Sequence, residues 1–220
     1  MKRLFDILCS FIGLLLLQPL FVVTAIMVKV DSQGPVLFRQ GRVGKNFRRF
    51  MIYKFRTMVV GAEKNGLRIT SGGDSRITKV GRILRKFKID ELPQLLNVLK
   101  GDMSLVGPRP EVIKYVAWYK DNYKRILSIR PGITDISSIT FRNEESILQG
   151  VDDPEHYYVH VLLSEKMRLA QEYIQHASFS YDVKLIFKTL YRVVFPSTDS
   201  QKQAPSSQDN VSNQERRGST

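Results

Sequence analysis

The chain has 220 residues, 43% of them apolar, and a formal net charge of +13, values that suit one folded domain with an appendage and exclude disorder throughout. Its single cysteine, Cys9, excludes an intramolecular disulfide framework and a multi-cysteine zinc site. Residues 39–88 carry fifteen basic side chains against two acidic ones, so one block holds a net charge equal to that of the whole chain and implies a polyanionic partner: nucleic acid, anionic lipid or a phosphorylated small molecule.

Residues 7–28 contain no charge. As a straight helix they extend about 33 Å, enough to cross the hydrocarbon core of a bilayer. The run is long for a cleaved signal peptide, and no small-x-small cleavage site follows it. Pro19, beside the polar Gln18, predicts a kink near its middle. Lys2 and Arg3 on one side and Lys29 on the other give the positive-inside rule little to act on. A straight span and a bent helix that re-enters the leaflet it left both remain open on these residues.

Residues 34–57 place short β-type runs, 36–39 and 50–55, around a turn containing Gly41, Gly44, Lys45 and Asn46, which predicts a hairpin. Residues 59–74, with four glycines, read as a mobile loop. Ile77, Val80, Ile83, Leu84 and Phe87 then recur at helical spacing, with basic residues on the other faces.

At the end of this basic helix stand Asp90 and Glu91, followed by Pro93 and the apolar Leu95, Leu96, Val98 and Leu99. Asp90 suits an N-cap, Glu91 complements a helix dipole, and Pro93 fits a first turn, so the pair has an ordinary structural reading. A helix N-terminus is also an anion site, however. Two carboxylates beside a phosphate repel it unless one binds a divalent metal or one attacks the phosphorus. Pro108 and Pro110 hold Arg109 in a stiff extended segment suited to phosphate recognition, and Arg130 precedes Pro131 and Gly132 in a turn of the same character.

Residues 111–126 and 155–176 read as helices. His156 and His160 are four apart, a metal-compatible spacing without a third ligand, and read as ordinary helix residues. Residues 182–195 form a basic amphipathic pattern with Lys184, Lys188 and Arg192 opposite an apolar face, an interfacial type of helix. Residues 197–220 are rich in Ser, Gln and Asn and read as a disordered tail.

The segment KIDELPQLLNVLKGDMSLVGPRP (88–110), with KFRTM (54–58) and RPGIT (130–134), closely resembles the bacterial sugar transferases, the small monotopic polyprenyl-phosphate phosphoglycosyl transferases. The resemblance covers residues 1–196 and, with no large membrane domain ahead of it, is to the minimal catalytic form. It implies a mostly helical α+β fold: a re-entrant membrane helix over 1–30, broken at Pro19, then a small cytoplasmic catalytic domain over 31–196 with a short β-hairpin and interfacial amphipathic helices.

The activity implied is transfer of a phosphosugar from a UDP-sugar to polyprenyl (undecaprenyl) phosphate at the cytoplasmic face of the bacterial inner membrane. UMP leaves, and the product starts membrane-bound glycan assembly. Carried over residue by residue, Asp90 is the nucleophile that forms an aspartyl phosphosugar, and Glu91 helps bind Mg2+. Arg85, Lys54, Arg56 and Arg109 meet phosphates, and Arg130 joins them as a phosphate or nucleotide contact. Where many relatives continue after RPGIT with Gly and an aromatic-containing segment, this chain has Asp135 and a different run, in which Arg142 and Asn143 are read as contacts.

The partners implied are the UDP-sugar, the polyprenyl phosphate and the bilayer, with no nucleic acid; a homodimer stays open as an assembly state. The competing reading is a membrane-tethered module that binds anionic lipid or nucleic acid through residues 39–88. Such a module has no need of Asp90 and Glu91.

Overall fold

The computed structural model describes residues 1–62, 70 and 73–195, so the expected tail and much of the expected glycine-rich loop lie outside the described residues. Within these bounds the architecture is mostly helical α+β with two small two-stranded sheets.

The N-terminal apolar run forms two helices, α1 (Lys2–Leu16) and α2 (Gln18–Asp31), bent by 62° at Leu17. Pro19 sits in the first turn of α2, where its missing N–H costs nothing. No single helix among the described residues is long and apolar enough to cross a membrane. The pair is inside-out relative to an ordinary surface helix. Leu8, Phe11, Ile12, Leu15 and Leu16 point outward, whereas Asp6, Ser10 and Thr24 are buried against the rest of the protein. Buried charge needs partners, and Asp6 accepts from Ser104 Oγ (2.8 Å) and the Leu105 amide (3.2 Å). Such a pair suits an apolar surround on its outer side.

The hairpin follows as β1 (Leu37–Val43) antiparallel to β2 (Arg49–Phe55), in register from Leu37 opposite Phe55 to Val43 opposite Arg49. Both strands are longer than the sequence pattern indicates. Successive residues alternate faces in a strand, so Lys54 shares the inward side of Phe50 and Ile52, both buried. Helix α3 (Lys79–Lys86) is capped by Thr78, whose Oγ1 accepts from the Gly81 amide. It packs tightly enough on the segment after β2 that a Cβ at Gly81 would lie 2.1 Å from the Thr57 carbonyl oxygen.

Next come a 3-10 turn (Ile89–Glu91), α4 (Gln94–Lys100) and β3 (Ser104–Val106). The expected helix over 111–126 is broken at Tyr119 into α5 (Ile113–Trp118) and α6 (Lys120–Ile126). Strand β4 (Gly132–Thr134) pairs parallel with β3, an arrangement the sequence pattern did not announce. A Cβ at Gly132 would fall 2.1 Å from the Gly107 amide nitrogen, so glycine allows these backbones to touch. The chain continues through α7 (Ile136–Thr140), α8 (Glu144–Gln149), α9 (Pro154–Tyr157), a π-helical turn (Tyr158–Leu162), α10 (Leu163–His176) and α11 (Phe179–Val194).

Three of the four apolar clusters among the described residues position the site. The largest joins α5, α6 and α10 through Val116, Tyr123, Leu163 and Met167. A second packs β2 on α4 through Phe50, Ile52, Val98 and Met103. A third brings Val28 of α2, Phe55 of β2 and Leu84 of α3 together, so the apolar helix pair and the basic helix meet beside the Asp–Glu turn. Helix α11 keeps Phe187, Leu190 and Tyr191 exposed beside Lys184 and Lys188.

Candidate active site

Two residues past the end of α3, Lys88 adopts a left-handed backbone (φ 57°, ψ 21°) and turns the chain into the 3-10 turn bearing Asp90 and Glu91. The expected cap is displaced. Pro93, not Asp90, is the N-cap of α4, and the Asp90 side chain is freed from capping. Both carboxylates are buried, at 6% and 9% exposure, a costly placement unless charge and hydrogen bonds compensate.

Glu91 is fully compensated. Its Oε1 accepts from Lys54 Nζ (2.8 Å) and Arg109 Nη2 (2.6 Å), and its Oε2 from Arg109 Nη1 (3.2 Å). Burial alone would raise its pKa, but Arg109 and Lys54 hold it well below the usual carboxylate value. Asp90 differs. Its Oδ1 is buried with no hydrogen-bond partner among the described residues. Burial pushes its pKa up, Lys54 pulls against this, and the neighbouring Glu91 charge adds to the rise. The dyad therefore holds one fixed anion and one unengaged carboxylate whose ionised form is less favoured.

Arg85 bears on Asp90 electrostatically. Its Nε donates to Thr57 Oγ1 (3.0 Å) and its Nη1 to Glu145 Oε1 (2.5 Å). Glu91 raises the pKa of Arg109, and the charges of Asp135 and Glu144 add to the rise; Glu144 is itself paired with Lys166 at 2.5 Å.

Of the residues singled out from the sequence, the structure thus brings together Asp90, Glu91, Lys54, Arg85 and Arg109. Three others lie elsewhere. Arg56 is buried at the end of α2, donating to the carbonyls of Val28, Ser32 and Gln33, where it satisfies groups the helix leaves open. Arg130 stands at the far end of α4, with Nε donating to the Gly101 carbonyl (2.9 Å) and Lys45, Arg48 and Asp102 lining the same cleft. Arg142 donates to the carbonyls of Arg192 and Lys86, tying α8's approach to α11 and α3. Conversely, Lys88, Glu144 and Glu145 reach this site without having been singled out for it. Only the Asn143-Glu144-Glu145 run could have hinted at the acidic pair, and no sequence signal reveals a left-handed lysine.

Among the described residues no group of three or more His, Cys, Asp or Glu is placed to hold a metal ion, and the His156 and His160 rings lie against each other, 4.3 Å between centroids. Magnesium, however, needs only one or two carboxylates when phosphate oxygens and water complete its shell. The unpartnered Oδ1 of Asp90 and the single hydrogen bond on Glu91 Oε2 leave lone pairs for such an ion, so the donor set fits it.

A family model described as bacterial sugar transferase matches residues 1–196. Over 200 residues the chain is 38% identical to the UDP-N-acetylgalactosamine-undecaprenyl-phosphate N-acetylgalactosaminephosphotransferase of Aeromonas hydrophila, covering 88% of this chain and 43% of that protein. It is 40% identical over 201 residues to the undecaprenyl-phosphate glucose phosphotransferase of Komagataeibacter xylinus, covering 88% of this chain and 36% of the relative. The chain thus spans less than half the length of these two relatives. Against the exopolysaccharide production protein PSS of Rhizobium leguminosarum bv. phaseoli the match is 37% over 199 residues, 86% of this chain and 93% of that one.

Proposed function

Since the chain belongs to the bacterial sugar transferase family, we propose that it transfers a phosphosugar from a UDP-sugar to undecaprenyl phosphate at the membrane and so starts assembly of a polysaccharide. The observation that carries this reading is the unpartnered, buried Oδ1 of Asp90 beside a Glu91 already fixed by Lys54 and Arg109. A carboxylate used only for structure would have its hydrogen bonds filled.

In the reaction, an Asp90 oxygen attacks the sugar-bearing phosphorus of the donor. The bond from that phosphorus to the bridging oxygen breaks, and UMP leaves with that oxygen. The resulting acyl phosphate is reactive enough to be attacked by an oxygen of the lipid phosphate, which returns the carboxylate of Asp90 and yields the diphosphate-linked sugar. The main obstacle is repulsion between a carboxylate and a diphosphate. The cations around the dyad lower it, and Glu91 holds Lys54 and Arg109 in place for this purpose. A Mg2+ ion held by Glu91 together with the donor's phosphate oxygens would supply further charge compensation. The outward apolar faces of α1 and α2 and the exposed face of α11 would seat the site at the cytoplasmic membrane surface, where a lipid phosphate and a soluble nucleotide both arrive.

Detergent-solubilised protein given UDP-sugars and Mg2+ without acceptor is expected to release UMP in an amount comparable to the enzyme. Asp90→Asn is expected to release none, and a normal burst from that variant would sink the assignment.

A further inference from the structure

Among the described residues, the cations that act most strongly on the dyad are Lys54, Arg85, Lys88 and Arg109. Lys54 and Arg109 are ion-paired to Glu91, and Arg85 to Glu145. The side chain of Lys88 forms no hydrogen bond or ion pair among the described residues, although its charge acts on Asp90, Glu91 and also Glu144. It is half-buried, two residues before the unpartnered Asp90, and fixed by its own backbone: its amide donates to the Arg85 carbonyl and its carbonyl accepts from the Glu91 amide.

The backbone is the second observation. Lys88 follows the C-cap residue Phe87 and is left-handed, at the position where helices most often place glycine. A Cβ is disfavoured there. A lysine held in this conformation against a site with an unfilled anion is the kind of local strain found where ligands are gripped.

We propose that Lys88 is the phosphate-binding cation of the resting site, its ammonium taking a non-bridging oxygen of the sugar-bearing phosphate in a nucleoside diphosphate sugar. This rests on the reading of the site as a phosphosugar transferase. The other three cations are neutralised before substrate arrives, so an incoming diphosphate meets Lys88 without first displacing a carboxylate. Retained on the same oxygen through transfer to Asp90 and away from it, the ammonium offsets charge in both steps.

Glycine provides the test, because Lys88→Gly removes the ammonium while suiting the left-handed backbone. Two quantities are measured in wild type, Lys88→Gly and Lys88→Arg: affinity for inorganic diphosphate by calorimetry, and the rate of acceptor-free UMP release across a panel of UDP-sugars. Lys88→Gly is expected to melt at or above the wild-type temperature, to bind diphosphate about tenfold more weakly and to release UMP about a hundredfold more slowly, in line with loss of one charged contact. Added n-butylammonium is expected to restore part of the rate, which a purely structural role would not allow. Lys88→Arg is expected to stay within about tenfold of wild type.

Wild-type affinity and rate in Lys88→Gly would overturn the proposal. A wild type that binds diphosphate through Lys88 yet releases no UMP from any UDP-sugar would instead overturn the transferase reading. Should the glycine variant fail to fold, Lys88→Asn, which also tolerates a left-handed backbone, carries the same comparison.

Discussion

The two ends of α4 use the same kind of residue for opposite purposes. At its C-terminal end, Arg130 and Arg3 donate to the carbonyls of Gly101 and Leu99. These are the acceptors a helix leaves open, and cations suit the negative end of its dipole. At its N-terminal end, Arg109 and Lys54 are spent on Glu91, and Asp90 beside it keeps a buried oxygen without a partner. Arg109 and Arg130 both lie beside prolines in turns, so their local sequence is alike. What separates them is the group each one meets. One end is complete without a ligand, and the other is not.

Substitutions can break this contrast, and the largest effect is expected at Asp90. Asp90→Asn keeps shape and volume but removes the attacking charge, and turnover is expected to fall at least about a thousandfold with melting temperature unchanged or raised. Assaying lipid-linked product alongside a thermal melt checks both halves. Glu91→Gln should act on stability as well. It leaves Lys54 and Arg109 without their shared anion, and breaking a buried pair in this way costs about 3–5 kcal/mol. Because the folded pKa of Glu91 is depressed, its contribution is complete above the unfolded value of about 4.3 and is lost as pH falls through the folded value. The wild-type advantage in denaturant midpoint should therefore shrink on acidification.

A smaller and directional effect is expected from Lys54→Met. Asp90 must be ionised to attack, and burial already raises its pKa, so the acid limb of kcat/KM lies above the ordinary aspartate value of about 3.9. Lys54 is the leading charge opposing that rise. Its removal should move the limb to still higher pH, and a shift the other way would mean that Asp90 is not the group titrating. The smallest effect is expected at the other end of the helix. Arg130→Gln removes one guanidinium hydrogen bond to a carbonyl, worth about 1 kcal/mol, and should lower the melting temperature slightly while UMP release stays within about threefold. A hundredfold loss of UMP release with stability intact would erase the distinction between the two ends.

Local pattern foretold the elements that local physics determines. Pro19 marks the break between α1 and α2, alternation gives the hairpin, and helical spacing gives α3 and α11. Parallel pairing of β3 with β4 was not legible, because each strand has three residues and their approach depends on Gly107 and Gly132 meeting across a long stretch of chain. In the site, the dyad and Arg109 could be singled out from residue type and spacing. Arg56 could not be separated from Lys54, two positions away, because its partners are carbonyls at the end of α2. Lys88 was hidden for a different reason: its distinguishing feature is a backbone angle.

The most direct measurement is the mass of the peptide containing Asp90 after wild-type protein is incubated with a UDP-sugar, Mg2+ and no acceptor, then quenched. A gain of one phosphosugar on that peptide is expected, lost when undecaprenyl phosphate is added and absent from Asp90→Asn. Turnover to lipid-linked product with the Asp90 peptide never modified, or the same adduct formed in Asp90→Asn, would contradict it.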